Sequence, residues 1–294
     1  MESPFPAWST LGPAEIRALP TVLTAAPEPV ASVVQRGIRG PGGWLQIRIY
    51  HPPGEGPHPA LIWMHGGGFM FGTLEGVDRK CRALTTRASC VVVSVDYRLA
   101  PETKFPGAVE DTYAALEWVA ANAAELRVDP TRIAIGGESA GGNLAAAAAL
   151  AARDRGGPTI AFQLLIYPIT DARLDTPSFN EFSDGPVITR RDCGWFYEQY
   201  IARPEDADSP YFSVLRAPDL RRLPAALVVT AGCDPLRDQG EAYAARLRDA
   251  GVEALTWRYD GMPHGFVGFR QLDDAKRALD EIAAELKRRL GAPV

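Results

Sequence analysis

The residues of this chain best suited to chemistry are a serine, a histidine and an aspartate set far apart in the sequence. Ser139 stands in Gly137-Glu138-Ser139-Ala140-Gly141, which fits G-x-S-x-G. Glycine on both sides permits the sharp turn that lifts a serine out of the backbone contour, a nucleophile elbow. A serine alkoxide is inaccessible at neutral pH, so the hydroxyl needs a general base within hydrogen-bond reach. Only four histidines are present. His51 and His58 sit in the proline-rich stretch from His51-Pro52-Pro53 to Pro57-His58-Pro59, which reads as a solvated loop. His65 opens a glycine run and has another task. His264 remains, in Gly261-Met262-Pro263-His264-Gly265-Phe266. Two aspartates, Asp234 and Asp238, follow the apolar run Ala225–Ala231. Asp234 lies nearer the carboxyl end of that run, with Pro235 stiffening the turn, and it is assigned to fix the tautomer of His264. The chain order is then Ser…Asp…His, one of the orders in which such triads occur. Asp238 directly precedes a helical run and reads as a surface N-cap.

Acyl transfer through Ser139 also needs donors for the oxyanion of a tetrahedral intermediate. His65-Gly66-Gly67-Gly68-Phe69 follows the apolar run Ala60–Met64, the setting of an HGGG-type loop. Bare glycine amides can approach a substrate oxygen closely, and the Ala140 N–H just after the nucleophile supplies another donor. Each preorganised donor lowers the barrier by about 3–4 kcal/mol. A phosphate loop is the other use of a triple glycine, but neither G-x-G-x-x-G nor G-x-x-x-x-G-K-[ST] can be fitted here.

An elbow needs a strand before it and a helix after it. Arg132-Ile133-Ala134-Ile135 is a short apolar run, and Asn143 to Arg153 is rich in alanine. The same alternation runs along the chain from about residue 45. Leu45–Tyr50 alternates apolar and polar residues like a half-buried strand. Ala60–Met64 is continuously apolar, as a strand covered on both faces would be. Val77–Ala88 suits a helix, Cys90–Val95 is a β-branched run, and Ala108–Glu125 has helical spacing. After strand Arg132–Ile135 and helix Ala140–Arg153 come strands Ile160–Tyr167 and Ala225–Ala231. Helix Gly240–Ala250, strand Ala254–Tyr259 and helix Leu272–Leu290 complete the series. The alternation predicts an α/β fold, a mostly parallel sheet with helices on both faces.

Two segments interrupt it. Residues 1 to about 40 carry six prolines and weak helical stretches. Residues 168 to about 223 hold aromatic patches such as Trp195-Phe196-Tyr197 and Tyr211-Phe212. The aromatic content argues for order in so long an insertion. Both segments read as a cap over the sheet's carboxyl edge, where open α/β sheets bind ligands. Trp195, Phe196 and Tyr197 are expected to narrow the pocket beneath.

At 294 residues, 46% of them hydrophobic, the chain can bury one large core, so 1–294 reads as a single domain. A net charge of −5 without a basic cluster argues against nucleic acid. The absence of an apolar run of about 18 residues argues against a membrane-spanning helix. Met1-Glu2-Ser3-Pro4 lacks the basic and apolar regions of a signal peptide. Cys81, Cys90, Cys193 and Cys233 are scattered without C-x-x-C pairing, so reduced thiols are expected rather than disulfides or a zinc site. There is no N-x-S/T sequon. A cytoplasmic protein with no metal, no cofactor and no membrane or nucleic-acid partner is the expectation.

Taken together, the motifs resemble those of the hormone-sensitive-lipase family of α/β-hydrolases, in particular its bacterial carboxylesterases. The resemblance rests on His65-Gly66-Gly67-Gly68-Phe69, Asp96-Tyr97-Arg98-Leu99-Ala100-Pro101-Glu102, Gly137-Glu138-Ser139-Ala140-Gly141-Gly142, Asp234-Pro235-Leu236-Arg237-Asp238 and His264-Gly265-Phe266. It implies the eight-stranded hydrolase sheet, a cap built from the N-terminus and the insertion, and hydrolysis of short- to medium-chain acyl esters. It also implies Ser139, Asp234 and His264 as the triad, Gly67 and Gly68 as oxyanion donors beside Ala140, and room for a homodimer. Glu138 stands where many members have Asp; it is expected to keep a carboxylate near the elbow, buttressing loops such as the one after Asp96.

Other functions of this fold fit less well. The plant gibberellin receptor resembles the family but has lost the triad histidine, whereas His264 is present here with both partners. Epoxide hydrolases and dehalogenases place an acid at the elbow, where this chain has Ser139. A peptidase or amidase would use the same residues and stays open. The fold alone decides none of this, because function lives in the site.

Overall fold

A computed structural model describes residues 7–19, 26–269 and 271–291 of the chain. After a 3₁₀ turn at Trp8–Thr10 comes a short helix α1 (Pro13–Ala18), then strands β1 (Ser32–Gly40), β2 (Gly43–His51) and β3 (His58–Met64). Helix α2 (Leu74–Ala88), strand β4 (Val91–Asp96), helix α3 (Gly107–Ala121) and strand β5 (Val128–Glu138) follow. Helix α4 (Ala140–Arg155) and strand β6 (Phe162–Ile166) lead into the insertion, which contains α5 (Pro177–Glu181) and α6 (Arg190–Tyr200). Strand β7 (Ala226–Cys233), helix α7 (Arg237–Asp249), strand β8 (Ala254–Pro263) and helix α8 (Asp273–Leu290) complete the described chain. No helix among the described residues is long and apolar enough to cross a membrane.

The strands form one sheet in the order β1-β2-β4-β3-β5-β6-β7-β8. β2 runs antiparallel to both β1 and β4, and the remaining neighbours are parallel. The central strands are apolar on both faces because both are covered. In β3, Ala60, Ile62 and Met64 join the core shared with α3, α4 and α7, while Leu61 and Trp63 face the core shared with α2 and α8. Helix α4 is apolar all round, and every residue from Ala140 to Ala152 is buried, as expected of a helix inside a core rather than on it.

Residues 32–40 do not belong to the segment expected over the sheet edge: they form the antiparallel edge strand β1, paired from Ser32↔His51 to Gly40↔Gly43. Edge strands need not alternate, and most of β1 is exposed, so it carried no amphipathic signal. Of the N-terminal stretch read as cap, residues 1–6 and 20–25 lie outside the described residues. His51 is also not solvated. It ends β2 at 8% exposure, with Nε2 3.2 Å from the Leu126 carbonyl. His58 opens β3 as its first residue and is half-buried.

Candidate active site

β5 runs directly into α4, and Ser139 is the single residue between them, with φ 56° and ψ −118°. That conformation is rare for a side chain other than glycine and marks a strained turn. Its flanking glycines are required by close approach. A Cβ on Gly137 would lie 2.4 Å from the Gly141 backbone, and one on Gly141 would lie 2.2 Å from the Met64 carbonyl oxygen. The Ser139 N–H donates to the Ile166 carbonyl at 2.9 Å, so β6 holds the turn from the side. Asn143, in the first turn of α4, donates from Nδ2 to the carbonyls of Ile169 (3.0 Å) and Phe212 (2.7 Å), tying the elbow to the insertion. Sequence reasoning passed over Asn143; an amide inside an alanine-rich helix was the available signal.

Sheet register brings the other two residues together. β7 and β8 stay in parallel register to Ala231↔Tyr259, slip, and meet again at Cys233↔Pro263. The next residue on each strand is Asp234 and His264, so backbone pairing sets them side by side. His264 Nδ1 donates to Asp234 Oδ2 at 2.7 Å, and the Ser139 hydroxyl lies 2.9 Å from His264 Nε2. A carboxylate can only accept, so the proton sits on Nδ1 and leaves Nε2 free to take the serine proton. Asp234 is fully buried, and its other oxygen accepts from the Leu236 N–H at 2.9 Å. Asp238, read from sequence as a surface N-cap, lies inside α7 instead. Its Oδ2 accepts from the Ser178 N–H at 2.7 Å and so joins α5 to α7. The helix starts at Arg237, earlier than the apolar pattern indicated.

The glycine loop after β3 passes over the elbow. Gly67 and Gly68 have φ of 119° and 56°, and the loop closes with Met70 N–H on the Gly67 carbonyl at 2.9 Å. Among the described residues, the N–H groups of Gly67 and Gly68 donate to no protein acceptor. Ala140 opens α4, so its N–H has no acceptor within the helix. His65 is buried against Tyr97, ring centroids 4.3 Å apart, with Nδ1 donating to the Gly66 carbonyl at 2.7 Å. Burial pushes its pKa down in spite of that hydrogen bond, so the imidazole is neutral and holds the loop as a structural ring.

Glu138 does not reach the loop after Asp96. Its carboxylate pairs with Lys80 on α2 and accepts the Tyr167 hydroxyl at 2.9 Å. The loop after Asp96 has its own anchor, Arg98 on the buried Asp111, with Nη2 to Oδ1 at 2.8 Å.

Above these groups lies a cavity of about 490 Å³, reaching Ser139, His264, Gly67 and Gly68. Ser139 and His264, 8% and 7% exposed, line this cavity. Its upper wall includes Trp8, Ile16 and Arg17 from the N-terminal segment and Ile188, Phe196 and Tyr197 from the insertion. Trp195 points elsewhere, into a separate surface hollow beside Ser9 and Leu174. The phase of α6 thus turns two of the three consecutive aromatics inward. All four cysteines are free, and Cys193 lines the cavity.

Comparison with known proteins gives the family. A family model described as the alpha/beta hydrolase fold matches residues 61–268. The chain is 43% identical over 273 residues to a carboxylic ester hydrolase, LipN, of Mycobacterium tuberculosis, covering 90% of this chain and 72% of the relative. It is 44% identical over 225 residues to an arylesterase of Saccharolobus solfataricus, covering 76% and 73%. Among solved structures, a hyperthermophilic esterase from the archaeon Pyrobaculum calidifontis superposes with a TM-score of 0.87 at 47% identity, over 90% of this chain and 88% of that one. A thermostable carboxylesterase cloned from a metagenomic library gives 0.90 at 44% identity, over 96% and 99%. The chain belongs to the α/β-hydrolase family and, within it, to the hormone-sensitive-lipase group that its motifs resemble.

Proposed function

We propose that the protein is a serine carboxylesterase that cleaves short- to medium-chain acyl esters through an acyl-enzyme on Ser139. The observation that carries this reading is the unbroken chain from Ser139 Oγ to His264 Nε2 and from His264 Nδ1 to Asp234, 2.9 and 2.7 Å, at the floor of the cavity. Ester hydrolysis is also the activity named for its relatives. Ser139 attacks the ester carbonyl while His264 takes its proton, and Asp234 steadies the imidazolium that results. The N–H groups of Gly67, Gly68 and Ala140 receive the oxyanion. His264 then hands its proton to the departing alcohol, and water resolves the acyl-enzyme by the same route in reverse. The N-terminal segment and residues 168 to about 223 act as a cap, giving the pocket a finite depth through Phe196 and Tyr197.

A hydrolysis series from acetyl to long-chain acyl esters, with a triacylglycerol emulsion included, tests this reading. Affinity is expected to rise with acyl length by about 0.8 kcal/mol per buried methylene and then stop, with little action on emulsified fat. A long-chain optimum with activation at the oil–water interface would identify a lipase and refute the depth assigned to the cap.

A further inference from the structure

Glu138 immediately precedes the nucleophile in the elbow motif, yet its carboxylate bonds to Lys80 and Tyr167 rather than to Ser139 or His264. It is held between Lys80 Nζ from α2 and the Tyr167 hydroxyl, with the Lys80 and Glu138 side chains only 11% and 13% exposed. A buried ion pair is weak evidence for stability, because desolvation offsets most of the attraction and apolar residues of similar volume often do as well. Burial pushes the Glu138 carboxyl up, but the charge and hydrogen bond of Lys80 and the Tyr167 hydroxyl outweigh it and hold the group below its ordinary range. A fixed anion therefore sits next to the nucleophile in the chain, with a tyrosine hydroxyl pinned to it.

That tyrosine carries the arrangement to the base. Tyr167 directly follows β6 and has φ 34°, left-handed backbone that a bulky residue rarely adopts. Its N–H is bound to the Val229 carbonyl at 2.6 Å, which holds the strained turn in place. The turn directs the ring against His264, centroids 4.8 Å apart and planes at 57°. Phe266 backs the same ring at 5.9 Å. Asp234 and Ser139 fix the two nitrogens of His264, and Tyr167 packs against the ring between them. An aromatic neighbour of this kind also favours the imidazolium formed during proton transfer.

We propose that Lys80, Glu138 and Tyr167 form a brace for the general base: Tyr167 is the positioning residue that touches His264, and the Lys80–Glu138 pair anchors its hydroxyl. The inference rests on Ser139 and His264 being nucleophile and base. Steady-state hydrolysis of a soluble acetyl ester by the full-length variants tests it, with thermal melting as the control for folding. Tyr167→Phe keeps the ring and loses the anchor; kcat is expected to fall roughly tenfold with KM held within about twofold. Lys80→Met leaves the carboxylate buried without its cation and is expected to lower kcat by a similar factor. The neutral pair Lys80→Met/Glu138→Gln, whose amide oxygen can still accept the Tyr167 hydroxyl, is expected to recover most of that loss. A Tyr167→Phe enzyme with undiminished kcat, a loss carried by KM, or a double variant no better than Lys80→Met overturns the brace. Should Lys80→Met fail to fold, the Tyr167→Phe split between kcat and KM decides alone. Ser139→Ala keeps the two readings apart. Activity surviving in Ser139→Ala overturns the serine mechanism, whereas an inactive Ser139→Ala beside a fully active Tyr167→Phe removes only the brace.

Discussion

The floor and the roof of the cavity are built on different principles. On the floor, Ser139, Asp234 and His264 stand at the ends of β5, β7 and β8, and backbone pairing determines where each begins. The roof is held down by side chains. Trp8 Nε1 donates to the Val187 carbonyl at 3.1 Å, the Ser9 N–H to Asp192 at 2.8 Å, and Trp8 stacks on Phe71 at 5.2 Å. Arg17 reaches the Met70 carbonyl at 2.8 Å, the Ala100 carbonyl at 2.7 Å and both oxygens of Glu102 at 2.8 Å. A floor set by sheet register tolerates almost no displacement, while a roof set by side chains can be refitted residue by residue. On this view the chemistry belongs to the floor and the choice of ester to the roof.

The largest effects are expected on the floor. Ser139→Ala or His264→Ala should lower kcat by roughly 10⁶, with the double variant hardly worse, because the residues act as a unit. Asp234→Asn should cost about 10⁴ through loss of tautomer control. An active Ser139→Ala enzyme in a simple ester assay would end the comparison at once. Next comes a point where roof and floor touch. A Cβ on Gly68 would meet the Phe196 ring at 2.5 Å. Gly68→Ala is therefore expected to displace the oxyanion donor proposed there and lower kcat by about 10²-fold, the scale of losing one such donor. Adding Phe196→Ala should return part of the rate; no recovery would mean that the loop fails for a reason of its own.

Changes confined to the roof should leave kcat alone. Phe196→Ala is expected to move the acyl optimum to longer chains, each newly buried methylene being worth about 0.8 kcal/mol, with acetyl-ester kcat within a few-fold of the parent. A smaller effect should follow Arg17→Ala: KM higher by a few-fold, kcat unchanged. Glu102 gives this latch a pH signature. The hydrogen bond from Arg17 holds its carboxyl down to about 2. A depressed carboxyl contributes fully above its unfolded value of about 4.5 and loses that contribution as pH falls toward 2. The Arg17→Ala effect on KM should therefore be constant through neutral pH. An effect that vanished between pH 6 and 8 would show that another group sets it. Smallest of all is Asp238→Asn, which weakens the tie between α5 and α7 by about 1 kcal/mol, visible in melting and absent from kcat.

The same division explains what could be read from sequence. The elements of the floor were legible because β3, β4, β6 and β7 are mostly apolar runs and because glycine and histidine motifs fall at the ends of the strands. Strand β1 escaped notice, since its Val33, Val34 and Ile38 do not alternate with its Ser, Gln, Arg and Gly and most of its length is exposed. The burial of His51 depends on a carbonyl at Leu126, far along the chain, and no local pattern reports such a contact. Likewise Trp195, Phe196 and Tyr197 were visible as a patch, but which rings enter the cavity depends on how α6 is rotated against the body. The partner of Glu138 was missed for a similar reason: Lys80 lies far from Glu138 in the sequence, and only the packing of α2 against the sheet brings the two together.

Helix α4 has a consequence for adapting the protein to new substrates. Its run of alanines meets strands, α3 and the insertion with little more than methyl groups, and residues 140–152 have no solvent to yield into. One added methylene there must be absorbed by a neighbour, at a cost of about 1–3 kcal/mol, and the displacement passes straight to Ser139 at the head of the helix. Substitutions that a random library places in this column are expected to return inactive clones. Diversity restricted to the wall above it, at Ile16, Ile188, Phe196 and Tyr197, leaves the serine where it stands while the shape presented to an ester changes.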